Sequence, residues 1–237
     1  MCAFPTDKED WQAPRPRTLV DHAIDAIIAA AARGVILPGE RLTEKDLGEM
    51  LGLSRVPIRE ALRVLESLGV VDSAPYKGTR LMDVSKARLE QILDVRVALE
   101  TLAVTRAYEA GALTADRLAP LEAEIHEMQL MCDRRDAYGL AEADTRFHLH
   151  LVQLSGNPQL VALWQSLARQ MTVIIGLTAL EKTLDLIVAE HVRLLARLMG
   201  RSLDAMRTEL EDHIRTQINM IDFDLLIEKQ RARRGKT

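Results

Sequence analysis

Three histidines and an aspartate lie on what read as three separate helices, two of the histidines on apolar stripes, and this restricts the fold of the 237-residue chain more than any other feature. Asp144 and His148, in AEADTRFHLHL, are one helical turn apart, so both side chains leave the same helix face. His191, in VAEHVRLLARL, shares a stripe with Ile187, Val188, Leu194 and Leu198. His213, in ELEDHIRTQI, shares another with Met206, Leu210, Ile214 and Ile221. Apolar stripes face a core, where a buried imidazole or carboxylate must find a partner. If the three helices are neighbours, the four side chains can meet, and three imidazoles with one carboxylate form a ligand set for one divalent transition metal per chain. Zinc is the first expectation from ligand type and availability; nickel and manganese suit the same donors. The alternative is three separate core histidines, each hydrogen-bonded to something nearby.

Helical periodicity dominates the rest of the C-terminal half. Apolar periods run over about 86–110, 114–135, 137–155, 157–176, 182–200 and 202–230, with short Gly, Pro, Asn or Thr breaks and no strand signal. They predict a mainly α protein whose residues 85–230 form an all-helical bundle of six or seven helices. Residues 1–17, with Pro5, Pro14 and Pro16 among charges, read as a flexible tail, and RARRGKT at 231–237 as a basic, solvated one.

Residues 18–84 have a different grammar. A helix from Thr18 to about Arg33 ends at Gly34 and Pro38-Gly39. Thr43 caps a short helix that Gly52 closes, and Ser54 caps RVPIREALRVLESLG, with Pro57 tolerated in its first turn. Two extended pieces, VVDS and TRLMDV, follow around a turn at APYKG. This order of helices, tight turn and hairpin is that of a winged helix-turn-helix.

Within the last of these helices Ile58, Leu62 and Leu65 face the core, while Arg55, Arg59 and Arg63 form a cationic stripe on another face. The N-terminal residues of a recognition helix reach base edges, which puts Arg55 and Arg59 where guanine is read bidentately and Arg63 nearer phosphate. At the hairpin tip, Lys77, Gly78 and Arg80 can meet the DNA backbone or minor groove. Charge alone would not single this region out, because residues 43–80 hold six acidic side chains against six basic ones. The whole chain carries a net charge of −4, so any nucleic-acid contact must come from a local patch. Aromatics at 3% leave too few rings for a single-strand stacking platform. Two cysteines, Cys2 and Cys132, make no disulfide framework or thiolate zinc motif, which fits a reducing cytoplasm. The longest apolar runs, at 27–32 and 173–180, are too short to span a bilayer, so no membrane partner is expected.

Residues 18–84 resemble the winged-helix domain of the GntR superfamily of bacterial regulators. The matching segments are PGERL (38–42), TEKDLGEMLGLSRVPIREALRVLESLGVV (43–71) and YKGTR (76–80). The C-terminal half resembles the FCD effector domain of the FadR subfamily through VRVALE (95–100), DTRFH (144–148), SGNPQL (155–160), EH (190–191) and DHI (212–214). The resemblance implies a homodimeric transcription factor that binds double-stranded, palindromic operator DNA and answers to a small carboxylate effector. It also implies DNA contacts at Lys45, Arg55, Val56, Arg59 and Gly78, with Arg41 on phosphate, and metal ligands at Asp144, His148, His191 and His213. Lys45 stands where the family often has Arg, and Val56 where Thr is common, so the operator sequence is open. The family's effector-contacting arginine falls on Arg96; its bland alternative is a salt bridge to Glu100 one turn later.

Two other readings stand beside a metal-dependent, effector-controlled regulator. A metal-dependent hydrolase would use an open metal position to activate water, with Glu190 as the nearest base. A regulator whose metal is purely structural would take its effector elsewhere. No nucleophile elbow, P-loop or dinucleotide fingerprint supports an enzyme.

Overall fold

Local capping chemistry sets where the first helices begin. In the computed structural model, which describes residues 17–234, helix α1 (Leu19–Ala32) opens on a reciprocal box. Thr18 accepts from the Asp21 amide, and the Asp21 carboxylate accepts from the Thr18 amide at 2.9 Å. Helix α2 (Glu44–Leu51) opens on a one-way cap, with Thr43 accepting from the Asp46 amide, and closes on Gly52 in the left-handed conformation. Ser54 has the extended backbone of a cap before α3 (Arg55–Ser67), but its side chain makes no capping hydrogen bond, contrary to the sequence expectation.

Strands β2 (Val71–Ala74) and β3 (Gly78–Leu81) form the expected hairpin. A two-residue strand, β1 (Arg41–Leu42), pairs antiparallel with β3, giving the order β1-β3-β2 and setting Arg41 opposite Arg80. Two residues are too few for an alternation signal, so β1 was invisible in the sequence.

Seven helices follow: α4 (Lys86–Glu109), α5 (Ala115–Asp133), α6 (Ala137–Gln153), α7 (Pro158–Thr178), α8 (Leu184–Leu198), α9 (Leu203–Asn219) and α10 (Phe223–Arg234). The single period expected over 202–230 is therefore two helices. Asp222 ends the first by capping the second, accepting from the Leu225 amide at 3.0 Å. Ile221, placed on the His213 stripe by sequence, sits in this break, and the buried Ile218 takes the core position instead. The expected basic tail at 231–237 is also corrected at its start. Residues 231–234 form the last turn of α10, anchored by Arg234 donating to the Glu40 carboxylate and the Gly34 carbonyl. Residues 1–16 of the expected N-terminal tail, and 235–237, lie outside the described residues.

The two halves share one continuous hydrophobic core. Helix α1 packs on α3 with one side and on α7 with the other. Its approach to α7 is close because position 176 is glycine: a Cβ there would lie 2.5 Å from the Ala32 Cβ. Arg169 on α7 pairs with Asp25 on α1 at 3.3 Å, and Gln170 donates to the Leu68 carbonyl at the end of α3. Helix α7 is long and apolar enough to cross a membrane by length and composition, but half of that stretch is buried within the fold.

Candidate metal centre and DNA-reading face

Helix α6 delivers Asp144 and His148, α8 delivers His191 and α9 delivers His213, and all four are at most 1% exposed. The His148 and His213 Nε2 atoms are 3.2 Å apart, and His191 Nε2 lies 3.1 Å from Asp144 Oδ1. One ligand atom from each histidine falls within 4.8 Å of the others. Donors held about 2.0–2.1 Å from one ion, at tetrahedral or octahedral angles, stand about 2.9–3.4 Å from their neighbours. The spacings match.

Proton placement points the same way. His191 Nδ1 is 2.8 Å from the Ile187 carbonyl, which can only accept, so Nδ1 keeps its proton and Nε2 faces the cluster. His148 Nδ1 is turned by Glu100 Oε2 at 2.6 Å, which again leaves Nε2 facing inward. Burial, reinforced by the Arg96 charge, lowers the His148 pKa; burial and the neighbouring His191 and His148 carry His213 well below the usual histidine value. Burial alone would raise the Asp144 carboxyl, but His191, His148 and Arg96 outweigh it and hold it at about 2. Asp144 Oδ1 and His191 Nε2 face each other at 3.1 Å without making a hydrogen bond, and with the His191 proton on Nδ1 both are acceptors, an arrangement that a shared cation satisfies. The four residues fit a divalent transition metal.

Beside them, Arg96 on α4 is fully buried and its Nε donates to Glu100 Oε1 at 2.7 Å. Glu100 thus joins Arg96 to His148, and these two neighbours hold its carboxyl below the usual range against the opposing effect of burial. The sequence showed the Arg96–Glu100 spacing but gave no signal for the His148 bond. Both Arg96 Nη atoms are without a hydrogen-bond partner, and the guanidinium lies 5.5 Å from the Trp164 ring centroid. Trp164, on α7, is a buried neighbour that sequence reasoning missed. Glu190, the base a hydrolase would need, is held by Lys182 Nζ at 2.6 and 2.7 Å.

On the other face, Arg55, Val56, Arg59 and Arg63 project from α3 into solvent, Lys45 from α2 and Lys77 from the wing. Arg41 lies against the wing glycine: a Cβ at Gly78 would stand 3.1 Å from its Nε. Arg59 is not free-standing. Glu44 on α2 grips it bidentately at 2.7 and 2.9 Å, a pairing between helices that no local spacing announces. Arg63 pairs with Glu60, and Lys45 lies 4.0 Å from Glu49.

Residues 19–81 match the family of bacterial regulatory proteins called gntR, and residues 91–216, over half the chain, match the FCD domain. The chain belongs to the GntR family, with an FCD domain. It is 27% identical over 203 residues to a probable D-xylose utilization operon transcriptional repressor of Paenarthrobacter nicotinovorans, covering 84% of each chain. Among solved structures, Escherichia coli McbR/YncC superposes with a TM-score of 0.69 at 25% identity, over 86% of this chain and 97% of that one. A GntR regulator from Rhodococcus sp. RHA1 shares the fold at a TM-score of 0.66 and 17% identity, over 85% of this chain and 96% of that one. This GntR-family protein is accordingly a transcriptional regulator and not an enzyme.

Proposed function

We propose that this regulator binds palindromic operator DNA as a cytoplasmic homodimer, and that a small carboxylate held by Arg96 and a divalent metal controls its affinity. Asp144, His148, His191 and His213 hold the metal, zinc before nickel or manganese by ligand type and availability. When bound, the metal supplies positive charge and open positions for effector oxygens. The observation that carries the reading is the pair of buried, unpartnered Arg96 Nη atoms beside a metal-ready cluster. A buried fork of donors with no acceptor is costly, and a carboxylate relieves it.

Helix α7 offers the route from site to DNA. Trp164 on α7 lies 5.9 Å from the His148 ring, centroid to centroid, while Gly176 and Gln170 on the same helix touch α1 and the end of α3. A shift of α7 on effector binding therefore moves the reading helix, and differential affinity for two such arrangements is all that regulation requires. Arg55 and Arg59 read bases, with Val56 against the base edges. Arg41, Lys45, Arg63 and Lys77 hold phosphates, and Gly78 lets the backbone approach. Glu44 keeps Arg59 extended until guanine replaces it.

Titrating small carboxylates into metal-loaded protein on operator DNA tests the reading. Affinity should change with metal present and stay fixed after chelation. Metal retained with no response to any carboxylate would leave the metal structural and sink the effector role. Arg59→Ala should cost about 1–3 kcal/mol of specific affinity and relax preference at one base pair per half-site. Arg63→Ala should weaken all sequences alike and flatten the salt dependence. Wild-type operator binding by Arg59→Ala would overturn the assignment of the reading helix.

A further inference from the structure

The unsatisfied groups around the cluster divide by sign. Asp144 Oδ1 and His191 Nε2, which face the metal position, are acceptors. Arg96 Nη1, Arg96 Nη2 and Trp164 Nε1, by contrast, are donors in side chains that are fully buried. Trp164 is bracketed by the two parts of the site, 5.5 Å from the Arg96 guanidinium carbon and 5.9 Å from the His148 ring, measured to the centroid of the indole. Its N–H is a donor only, and a buried indole N–H ordinarily finds an acceptor.

We propose that Trp164 is a specificity-determining residue of the effector site. Its indole N–H receives a second acceptor oxygen on the effector, beyond the carboxylate that Arg96 holds. This rests on the effector reading above and narrows it to one chemical class: small carboxylates bearing a nearby acceptor, such as a 2-oxo group or a second carboxylate. A 2-amino carboxylate would offer the indole N–H an ammonium donor in place of an acceptor oxygen, burying donor against donor.

The test uses full-length zinc-loaded protein and a three-carbon series of 2-oxopropanoate, propanoate and alanine, measured by calorimetry. Wild type should bind 2-oxopropanoate more tightly than propanoate, and alanine not at all. Trp164→Phe keeps the apolar ring and removes the N–H. Its preference for the 2-oxo compound should fall about tenfold, the worth of one buried hydrogen bond, while propanoate affinity holds within about twofold. The chain has two tryptophans, so one indole N–H resonance disappears in Trp164→Phe and identifies the site signal in wild type. That resonance should move downfield with 2-oxopropanoate and stay in place with propanoate, a readout that needs no stable variant. An unchanged preference in Trp164→Phe, or a resonance indifferent to 2-oxopropanoate, overturns the role of Trp164 alone. Failure of every carboxylate to bind, or binding that survives Arg96→Lys at full strength, overturns the effector reading and this inference with it.

Discussion

His213→Ala should leave the purified regulator with almost no divalent metal, against about one ion per chain in the wild type, as read by elemental analysis. The substitution removes the contribution of α9 to a cluster otherwise supplied by α6 and α8. A ligand that binds only the native state at 100 to 1,000 times its dissociation constant adds about 2.7–4.1 kcal/mol. For a chain of this size each kcal/mol moves the melting temperature by about 2–4 °C, so chelation should lower the wild-type midpoint by roughly 5–16 °C. Chelation should scarcely affect the variant. Stoichiometric metal in His213→Ala, or a wild-type midpoint indifferent to chelator, would return these side chains to the status of ordinary core histidines.

Arg96→Ala should be severely destabilising. The sequence reads Arg96 as an effector contact whose alternative is a salt bridge to Glu100 one turn later. The structure makes that bridge costly to break, because Glu100 is fully buried and depends on Arg96 and His148 for compensation. Removing one partner of a buried pair costs about 3–5 kcal/mol, and the loss should appear as a melting midpoint lower by roughly 6–20 °C. Arg96→Lys separates the two roles: it keeps the charge near Glu100 and loses the planar fork that a carboxylate requires. The lysine variant should recover most of the lost stability and still fail to respond to carboxylates on operator DNA. A lysine variant that responds with wild-type potency would reduce Arg96 to a structural ion-pair partner.

What the sequence revealed and concealed follows from the range of the interactions involved. Thr43 could be recognised as a cap because a cap acts over three residues. The buried histidine triad was legible because His191 and His213 interrupt periodic apolar stripes and His148 shares a helix face with Asp144, leaving convergence as the only inference needed. The break at residues 220–222 was hidden because it contains neither Gly nor Pro, and only the Asp222 side chain marks the new start. Trp164 looked like any core aromatic, since nothing local says that its N–H lacks a partner. The Glu44–Arg59 grip and the Glu100–His148 bond join residues 15 and 48 positions apart, and only tertiary packing brings them together.

Helix α1 belongs to both halves at once, seated on α3 with one side and locked against Gly176 of α7 with the other. The natural place to cut and exchange DNA-reading modules among such regulators is therefore misleading if it is taken from sequence similarity alone. A graft joined near residue 84 would pair a foreign α1 with a native α7, and any residue larger than alanine at position 32 would meet the bundle where no space exists. Chimeras that keep α1 with its own α7 while exchanging the reading helix and wing preserve this contact, though they must then match α1 to a new α3. Operator preference can change through the exposed residues of α3 and the wing, with α1 held by its contacts on both sides.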